Sequence, residues 1–360
     1  MAGALTRILD ESGKAIGFGV LDYESPIAVR VWSLSKPVDA AMFRTRLERA
    51  LEVRRVLFEG TRTTAYRILN GEGDRTPGVV VDRYGTVAVL RIDGDAMRAI
   101  APELLVDLDV VLKEAGITTL LEIVSARGEK KEVAPRFGPL VSKVEVKEHD
   151  VPFVVDLVKG QKTGAFLDQR ENRRRVGALV ARRRRAKKGA RVLNLFSYTG
   201  GFSLRAALAG GTVTSVDVAT PAHATAQESF KLAGLDPRAH VFAAADAFAW
   251  LESAKKKGER FDVVISDPPS FAPSEKAKPK ALAAYRALHR ACAAVLADGG
   301  SFVAASCSSH VSAEELLATL DDATLERSDL RLLELTGPPP DHPTLPVFPE
   351  GRYLKCAFLE

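Results

Sequence analysis

The sequence predicts an α/β fold: a mostly parallel sheet with helices on both faces and a C-terminal antiparallel hairpin, preceded by smaller domains. From about residue 191, short apolar strands alternate with glycine-rich turns and helical patterns. This rhythm is typical of βαβ units and of a sheet buried on both faces. Upstream, strand and helix patterns mix without it. The 360 residues also exceed one typical core, so we expect more than one domain.

The upstream region is predicted to hold two segments, a partial β domain with a linker helix over residues 1–58 and a small α+β domain over residues 59–160. In the first, Ala28–Trp32 has a strand pattern and Ala40–Phe58 a helical one. In the second, one helix is predicted over Met97–Ala115. Its predicted strands are Gly78–Asp82, Val87–Ile92, Leu120–Val124 and Val151–Leu157.

Residues 161–360 are predicted to form the parallel sheet and its helices. The predicted strands are Arg191–Phe196, Val213–Val216, Val241–Ala244, Val263–Ser266 and Ser301–Ala305. The predicted helices are Phe202–Ala209, Pro221–Ala233, Ala247–Lys257 and Leu282–Leu296. Two further strands, Leu330–Leu335 and Arg352–Leu359, are predicted to pair as a hairpin at the sheet edge.

Composition excludes several classes of protein. With 46% hydrophobic and 27% charged residues, the chain resembles an ordinary soluble globular protein. No apolar run approaches membrane-spanning length and no signal-peptide pattern is present, so we expect a cytoplasmic protein without a membrane partner. Cys292, Cys307 and Cys356 are isolated, which argues against disulfides and a bound metal. The sequence is compatible with a homodimer but does not determine the oligomeric state.

A cluster of basic residues suggests an anionic partner. The chain carries a formal charge of +5, and arginines and lysines crowd the segment from Arg170 to Lys188. Such a run is also typical of a solvated helix face, and both interpretations stay open. The candidate phosphate contacts are Arg170, Arg173, Arg182, Arg183, Arg184 and Arg185.

Glycines and carboxylates at successive strand ends predict a nucleotide site. Such ligands bind at the carboxyl ends of parallel strands. The first strand ends in a turn containing Gly200 and Gly201, where the backbone can approach a ligand. Asp217, after the second strand, suits ribose hydroxyls, and Asp246, after the third, suits an adenine amino group. Each aspartate alone is also compatible with a helix N-cap, but three such features at successive strand ends together favour the nucleotide site.

The next two strand ends carry the candidate reactive groups. Asp267 precedes two prolines, which fix an extended arch and hold its side chain towards the ligand crevice. Cys307 lies in a polar S-C-S-S loop just before a predicted helix capped by Ser312, whose dipole favours a thiolate. Cys292 and Cys356, by contrast, are expected to be buried packing residues.

These motifs together resemble those of bacterial 23S rRNA (cytosine-5)-methyltransferases. The matching segments are Thr76–Gly85, Lys162–Arg170, Tyr198–Phe202, Asp267–Phe271, Ser306–Ser308, Asp341–Pro343 and Pro349–Lys355. The resemblance covers nearly the whole chain. It implies a Rossmann-like class I methyltransferase domain that uses S-adenosyl-L-methionine (SAM), preceded by a small α+β domain and a PUA-like RNA-binding domain, of which residues 1–50 match only the second half.

The resemblance also implies roles for individual residues. Cys307 would be the nucleophile on carbon 6 of the cytosine, and Asp267 would face the Watson–Crick edge of the base. Many related enzymes have a second cysteine after the D-P-P motif as the eliminating base, whereas Ser270 and Phe271 stand here, so the base is unidentified. The expected cofactor contacts are Thr163, Phe166, Asp168, Gln169, Phe196, Ser197, Tyr198, Thr199, Gly200, Asp217, Val218, Asp246, Ala247, Asp267 and Pro268.

Two alternatives remain at this level. A D-P-P motif after the fourth strand also suits methylation of a base nitrogen or a protein amide, chemistry that needs no cysteine. A non-catalytic RNA-binding protein is the second alternative, and it would not turn SAM over. Cys307 favours cytosine, with 23S ribosomal RNA as the expected partner.

Overall fold

A computed structural model describes residues 3–23, 25, 27–125, 129–188, 190–325, 327 and 329–360. The chain forms two compact units. The first unit comprises Met1–Asp150, Val155–Leu167 and Pro340–Pro346, and the second comprises Val151–Val154, Asp168–Pro339 and Val347–Glu360.

The first unit contains a three-stranded and a five-stranded sheet. The three-stranded sheet is antiparallel, in the order β1-β2-β3: β1 (Leu5–Leu9), β2 (Ala15–Leu21) and β3 (Val29–Ser33). The larger sheet has the strands β4 (Ala65–Asn70), β5 (Val79–Tyr84), β6 (Val87–Ile92), β7 (Thr119–Ile123) and β8 (Val133–Phe137), in that order. Only its β6–β7 pair is parallel among these neighbours. The helices are α1 (Ala40–Phe58), α2 (Asp95–Leu104) and α3 (Leu108–Glu114).

One hydrophobic core runs through this unit. Trp32 of β3 and Phe43 of α1 belong to the same buried cluster as Val81 and Leu90 of the larger sheet. The first 58 residues therefore share a core with the region predicted as a separate α+β domain. Helix α1 has the predicted bounds and begins at Asp39, whose side chain accepts a hydrogen bond from the Met42 amide.

One sequence prediction for this unit was wrong, and some of its strands were missed. The single helix predicted over Met97–Ala115 is two helices, α2 and α3; Pro102, which cannot donate a backbone hydrogen bond, stands just before the break. Strand β8 was missed because its Pro135 interrupts the strand pattern, a residue tolerated on an edge strand. Strand β9 (Lys143–Glu148) was also missed, because four of its six residues are charged. Strand β10 (Val151–Asp156) contributes residues to both units.

The second unit is built on a seven-stranded sheet in the order β13-β12-β11-β14-β15-β17-β16. Strands β11 to β15 are parallel, and β17 is antiparallel to both β15 and β16, as predicted. The strands are β11 (Arg191–Leu195), β12 (Thr212–Asp217), β13 (Val241–Ala244), β14 (Phe261–Ser266), β15 (Leu296–Ser306), β16 (Leu332–Thr336) and β17 (Lys355–Leu359). The helices are α4 (Arg170–Arg185), α5 (Gly201–Leu208), α6 (Thr220–Leu232), α7 (Ala247–Lys256), α8 (Lys278–Val295) and α9 (Ala313–Thr324).

Apolar side chains cover both faces of this sheet. On one face Leu193 packs in a cluster with Leu251 of α7 and Leu288 of α8. On the other face, Val192 packs in a cluster with Val176 of α4, besides residues of α5 and α6. Adjacent strand residues point to opposite faces, and both faces are buried, as a parallel sheet requires. Because both faces are filled by packed side chains, functional groups are expected at the ends of the strands. In the described part of the chain, no helix is long and apolar enough to cross a membrane.

Candidate active site

The carboxyl ends of four parallel strands of the second unit lie along one edge of the sheet. The segments that follow them are Phe196–Gly200 after β11, Val218 after β12, Asp267–Phe271 after β14 and Cys307 after β15. The sequence predicted ligand contacts in each of these segments. Parallel pairing of β12, β11, β14 and β15 brings the segments to the same edge.

The turn after β11 has an unusual backbone. Phe196 and Tyr198 have φ angles of 55° and 46°, and Gly200 has 72°. Positive φ is uncommon for residues with side chains and often marks a functional turn. The Ser197 amide donates to the Val216 carbonyl at 3.0 Å, which ties the turn to β12.

Asp217 holds this turn in place. Its carboxylate accepts hydrogen bonds from the Tyr198 amide at 2.7 Å and from the Ala219 amide at 2.8 Å. Each carboxylate oxygen can accept more than one hydrogen bond, so Asp217 can also receive ribose hydroxyls. Asp246 differs, because its side chain caps helix α7 by accepting from the Ala249 amide at 2.9 Å. Its neighbour Ala247 is part of the hydrophobic core.

The same edge offers groups that fit an adenosyl ligand. The Ser197 hydroxyl is buried and, among the residues described, has no hydrogen bond partner. Val218, directly after Asp217, is 72% exposed, although it is apolar. A buried polar group without a partner is costly, and a bound ligand would remove the cost.

Asp267 is held by a chain of side-chain hydrogen bonds. The Gln169 side-chain amide donates to Asp267 at 3.0 Å, and the Asn172 amide donates to Gln169 at 2.7 Å. The Thr336 hydroxyl donates in turn to the Asn172 side-chain oxygen at 2.7 Å. Gln169 and Asn172 are both buried, so this chain restricts how the Asp267 carboxylate can turn. The sequence predicted Gln169 only as a cofactor contact, and it did not indicate Asn172 or Thr336.

Cys307 lies beside the D-P-P segment. Its thiol sulfur is 3.9 Å from the Pro268 carbonyl oxygen, and the residue is half-buried. Both neighbouring serines contact the Tyr285 hydroxyl, Ser306 at 2.9 Å and Ser308 at 3.1 Å. Burial raises the pKa of Tyr285, so its hydroxyl stays protonated and bonded to this loop.

A buried lysine holds the loop that contains Cys307. The Lys355 ammonium donates to the carbonyl oxygens of Ser308 and Val311, each at 2.6 Å, and of Tyr353 at 2.8 Å. Burial lowers the pKa of Lys355 to about 8, although attraction to Cys307 and Glu315 acts in the opposite direction. The tail motif contained Lys355, but no sequence signal indicated this contact.

The other two cysteines are packing residues, as predicted. Cys292 in α8 and Cys356 in β17 are fully buried in hydrophobic clusters. Burial raises the pKa of both thiols, which disfavours the reactive thiolate. Among the described residues, no cluster of histidine, cysteine and carboxylate groups could hold a metal ion.

The K-T-G-A-F-L-D-Q-R segment is divided between the units. Asp168 belongs to the second unit, where the Tyr353 hydroxyl donates to its carboxylate at 2.6 Å. Thr163 and Phe166 belong to the first unit. There the Thr163 hydroxyl is buried and donates to Asp82 at 2.6 Å, so its hydrogen-bond partner is a residue of the protein itself.

Asp82 is the centre of a buried network in the first unit. Arg67 forms a two-point ion pair with it, at 2.8 and 2.9 Å. Burial raises the pKa of Asp82, but the charge and hydrogen bonds of Arg67, together with His342 and Thr163, outweigh it and the pKa is lowered. Asp341 accepts from the Arg67 amide at 2.9 Å. Three motif segments that are far apart in the sequence are therefore joined here: Arg67 contacts Asp82 and Asp341, and Thr163 contacts Asp82.

The structure of helix α4 corrects part of the predicted RNA-binding surface. Arg170, Arg173 and Arg183 are buried, and Arg183 donates to the Gly299 carbonyl at 2.8 Å, so these three guanidinium groups support the domain. Arg173 packs so closely that a Cβ on Gly201 would come within 2.7 Å of its Cδ. The exposed residues of the predicted set are Arg182, which pairs with Glu360, and Arg184 and Arg185.

Comparison with known proteins identifies the family. The sequence profile of the family described as S-adenosylmethionine-dependent methyltransferase matches residues 136–352. A ribosomal RNA large subunit methyltransferase from Deinococcus radiodurans is 37% identical over 378 residues, covering 99% of this chain and 89% of the relative. Ribosomal RNA large subunit methyltransferase I from Klebsiella pneumoniae (strain 342) is 32% identical over 363 residues, covering 98% and 88%.

A solved structure agrees with the fold. A SAM-dependent methyltransferase from Streptococcus mutans aligns with a TM-score of 0.88 at 24% identity, covering 100% of this chain and 92% of that one. The second unit thus has the class I methyltransferase fold. The chain belongs to the S-adenosylmethionine-dependent methyltransferase family, and SAM is its methyl donor.

Proposed function

We propose that this methyltransferase modifies carbon 5 of a cytosine in 23S ribosomal RNA through a covalent adduct with Cys307. The observation that carries the proposal is the position of Cys307, half-buried at the end of β15 and 3.9 Å from the Pro268 carbonyl oxygen. Transfer to a nitrogen would not need a thiol there. The relatives from Deinococcus radiodurans and Klebsiella pneumoniae, which align over almost the whole chain, are named for the large ribosomal subunit RNA.

The proposed chemistry activates an unreactive ring carbon. The Cys307 thiolate adds to carbon 6, and the electron pair of the 5,6 double bond becomes nucleophilic at carbon 5. Carbon 5 takes up the electrophilic methyl group that SAM would supply, and the sulfur–methyl bond breaks to leave S-adenosylhomocysteine. A base then removes the proton of carbon 5, the double bond re-forms, and the thiolate leaves. Asp267, oriented by Gln169, would donate a proton to ring nitrogen 3 during the addition and take it back when the thiolate leaves, so it must be protonated when the base binds.

The adduct can be tested directly with RNA that contains 5-fluorocytosine. After methyl transfer, fluorine at carbon 5 cannot be removed as a proton can, so the protein should stay attached to the RNA. A denaturing gel should show a SAM-dependent band of linked protein for the wild type and for Cys292→Ala and Cys356→Ala, but not for Cys307→Ala. A folded Cys307→Ala protein that methylates RNA at the wild-type rate would contradict the proposal and favour a nitrogen acceptor.

We also propose that the exposed arginines of α4 contact RNA phosphates. Arg184 and Arg185 are exposed and carry no opposing charge in their own helix turn. Each phosphate contact releases counterions, so RNA affinity should fall steeply with salt. Replacing both by alanine should flatten the log–log dependence by about 0.7–0.9 per lost contact. The control is Arg238→Ala, which removes an exposed arginine that pairs with Asp236. An unchanged slope in the double variant would show that this face of α4 is solvated and does not contact RNA.

The N-terminal strands complete the proposal. We assign β1, β2 and β3 to a partial PUA-like domain that binds RNA. Its three antiparallel strands and their exposed Arg7 are compatible with this role. Removal of the Arg7 charge by Arg7→Ala should weaken RNA binding without changing SAM affinity.

A further inference from the structure

The buried ammonium group of Lys355 contacts the loop that carries Cys307. In the antiparallel pairing of β15 and β17, Lys355 stands opposite Ser306, the residue before Cys307. Its side chain is only 6% exposed, and its three ammonium protons are matched by three carbonyl oxygens. In the described part of the chain no carboxylate lies within ion-pair distance of this ammonium group.

We propose that Lys355 is a positioning residue for Cys307: its buried ammonium group fixes the S-C-S-S loop and favours the thiolate form of the cysteine. This inference rests on the proposed role of Cys307 as nucleophile. A neutral side chain could satisfy some of the same carbonyl groups, but it would not stabilise an anion. A buried cation near a thiol is a recognised way of making a cysteine reactive.

Electrostatics agree with the geometry. Burial lowers the pKa of Lys355 to about 8, while attraction to an anionic Cys307 raises it. An interaction between two charges is mutual, so the same attraction stabilises the thiolate against the thiol. It also strengthens in a half-buried site, where water screens it less than at the surface.

Other groups around Cys307 act in both directions. Two negatively charged groups act on residues that contact the loop: Asp267, after β14, acts on Tyr285, and Glu315, on α9, acts on Lys355. Tyr285 from α8 stays neutral because burial raises its pKa. The amino end of α9, capped by Ser312, adds a favourable partial charge. Glu315 is already paired with the Lys278 ammonium at 2.8 Å, so Lys355 supplies a positive charge against the other carboxylate, Asp267.

Lys131 in the first unit provides a matched control. Its ammonium also donates to backbone carbonyl oxygens, those of Leu157 at 2.7 Å and Gly160 at 2.9 Å. Burial likewise lowers the pKa of Lys131 to about 8. It differs in belonging to the other unit and in having Asp156, rather than a cysteine, as its electrostatic partner.

The test is the pH dependence of Cys307 alkylation by iodoacetamide, mapped to its peptide by mass spectrometry. Lys355→Met should move the midpoint up by about one pH unit and slow alkylation about tenfold at pH 7. Lys355→Arg, which keeps the charge, should restore most of the rate, and Lys131→Met should leave the midpoint unchanged. An unchanged midpoint in folded Lys355→Met, or an equal shift in Lys131→Met, would overturn the proposal. If Lys355→Met does not fold, a wild-type midpoint at or above about 8.5, the ordinary thiol value, overturns it as well.

A second readout separates this inference from the proposed function. The acidic limb of the pH–rate profile for RNA methylation should move with the alkylation midpoint in Lys355→Met. A shift in alkylation alone would support the charge effect of Lys355 and contradict Cys307 as the nucleophile. Loss of methylation in Cys307→Ala without any shift in Lys355→Met would keep the nucleophile and overturn the role of Lys355.

Discussion

The two halves of the active-site edge are built in different ways. After β11 and β12, the site consists of backbone: positive φ angles at Phe196 and Tyr198, and amide groups held by Asp217. After β14 and β15, it consists of side chains, including Gln169 against Asp267 and Lys355 under the loop of Cys307. The first half joins residues 19 apart in the chain, whereas the second joins residues 98 and 47 apart.

This difference suggests a division of labour. A backbone turn suits a ligand that is the same in every turnover, because amides and carbonyls have little freedom to move. A side-chain network suits a site in which charge and protons change during the reaction. We infer that SAM is bound by the first half and that the acceptor base is bound by the second.

The largest effect is expected from a substitution in the first half, which comprises the segments after β11 and β12. Asp217→Ala removes both the acceptor for the Tyr198 amide and the proposed partner of the ribose hydroxyls. SAM affinity should fall by about 1.5–3 kcal/mol, measured by calorimetric titration. Asp246→Ala is the comparison, because this aspartate caps α7 and its loss should cost about 1 kcal/mol of unfolding free energy. Equal SAM affinities of Asp217→Ala and the wild type would show that the backbone turn alone binds the ligand.

A smaller effect is expected in the second half. Tyr285→Phe removes the hydroxyl that contacts Ser306 and Ser308, so the unfolding free energy should fall by about 1–2 kcal/mol in urea denaturation. SAM affinity should stay unchanged, whereas RNA methylation should slow because the Cys307 loop loses one of its supports. A change in SAM affinity similar to that of Asp217→Ala would contradict the division between the two halves.

The sequence predicted the two halves unequally for the same physical reason. Positions such as Gly200 and Asp217 follow short apolar strands directly, so the strand pattern alone places them at one edge. The N-cap at Ser312 with Glu315 was equally local, and the structure contains that capping box. Asn172, Thr336 and Lys355 could not be predicted, because their contacts depend on tertiary packing of segments that are 164 residues apart for Asn172 and Thr336 and 47 residues apart for Lys355 and Ser308.

The basic helix shows the limit of charge patterns. A run of arginines predicts one charged surface, but helical periodicity turns some of them inward. Arg173 and Arg183 lie on the buried side of α4, next to Val176 and Val180, while Arg184 faces solvent. Residues three or four apart share a helix face, so the apolar positions indicate which arginines are buried. The sequence itself therefore indicates which arginines of α4 are buried.

The smallest expected effect concerns the protonation of Lys355. Its pKa of about 8 lies below the ordinary lysine value of 10.5, so between these limits the unfolded chain binds more protons than the folded one. The unfolding free energy of the wild type should therefore rise with pH in this window, by about 1 kcal/mol between pH 7 and pH 9 relative to Lys355→Met. The sign follows because burial of the charged form is costly, and deprotonation of the folded protein removes that cost. Urea denaturation at the two pH values measures the difference, with the exposed Lys257→Met as control. The difference in unfolding free energy between the wild type and Lys355→Met should change between the two pH values. If it does not change, the ammonium group is solvated, and the Cys307 loop lacks the buried charge that distinguishes the second half.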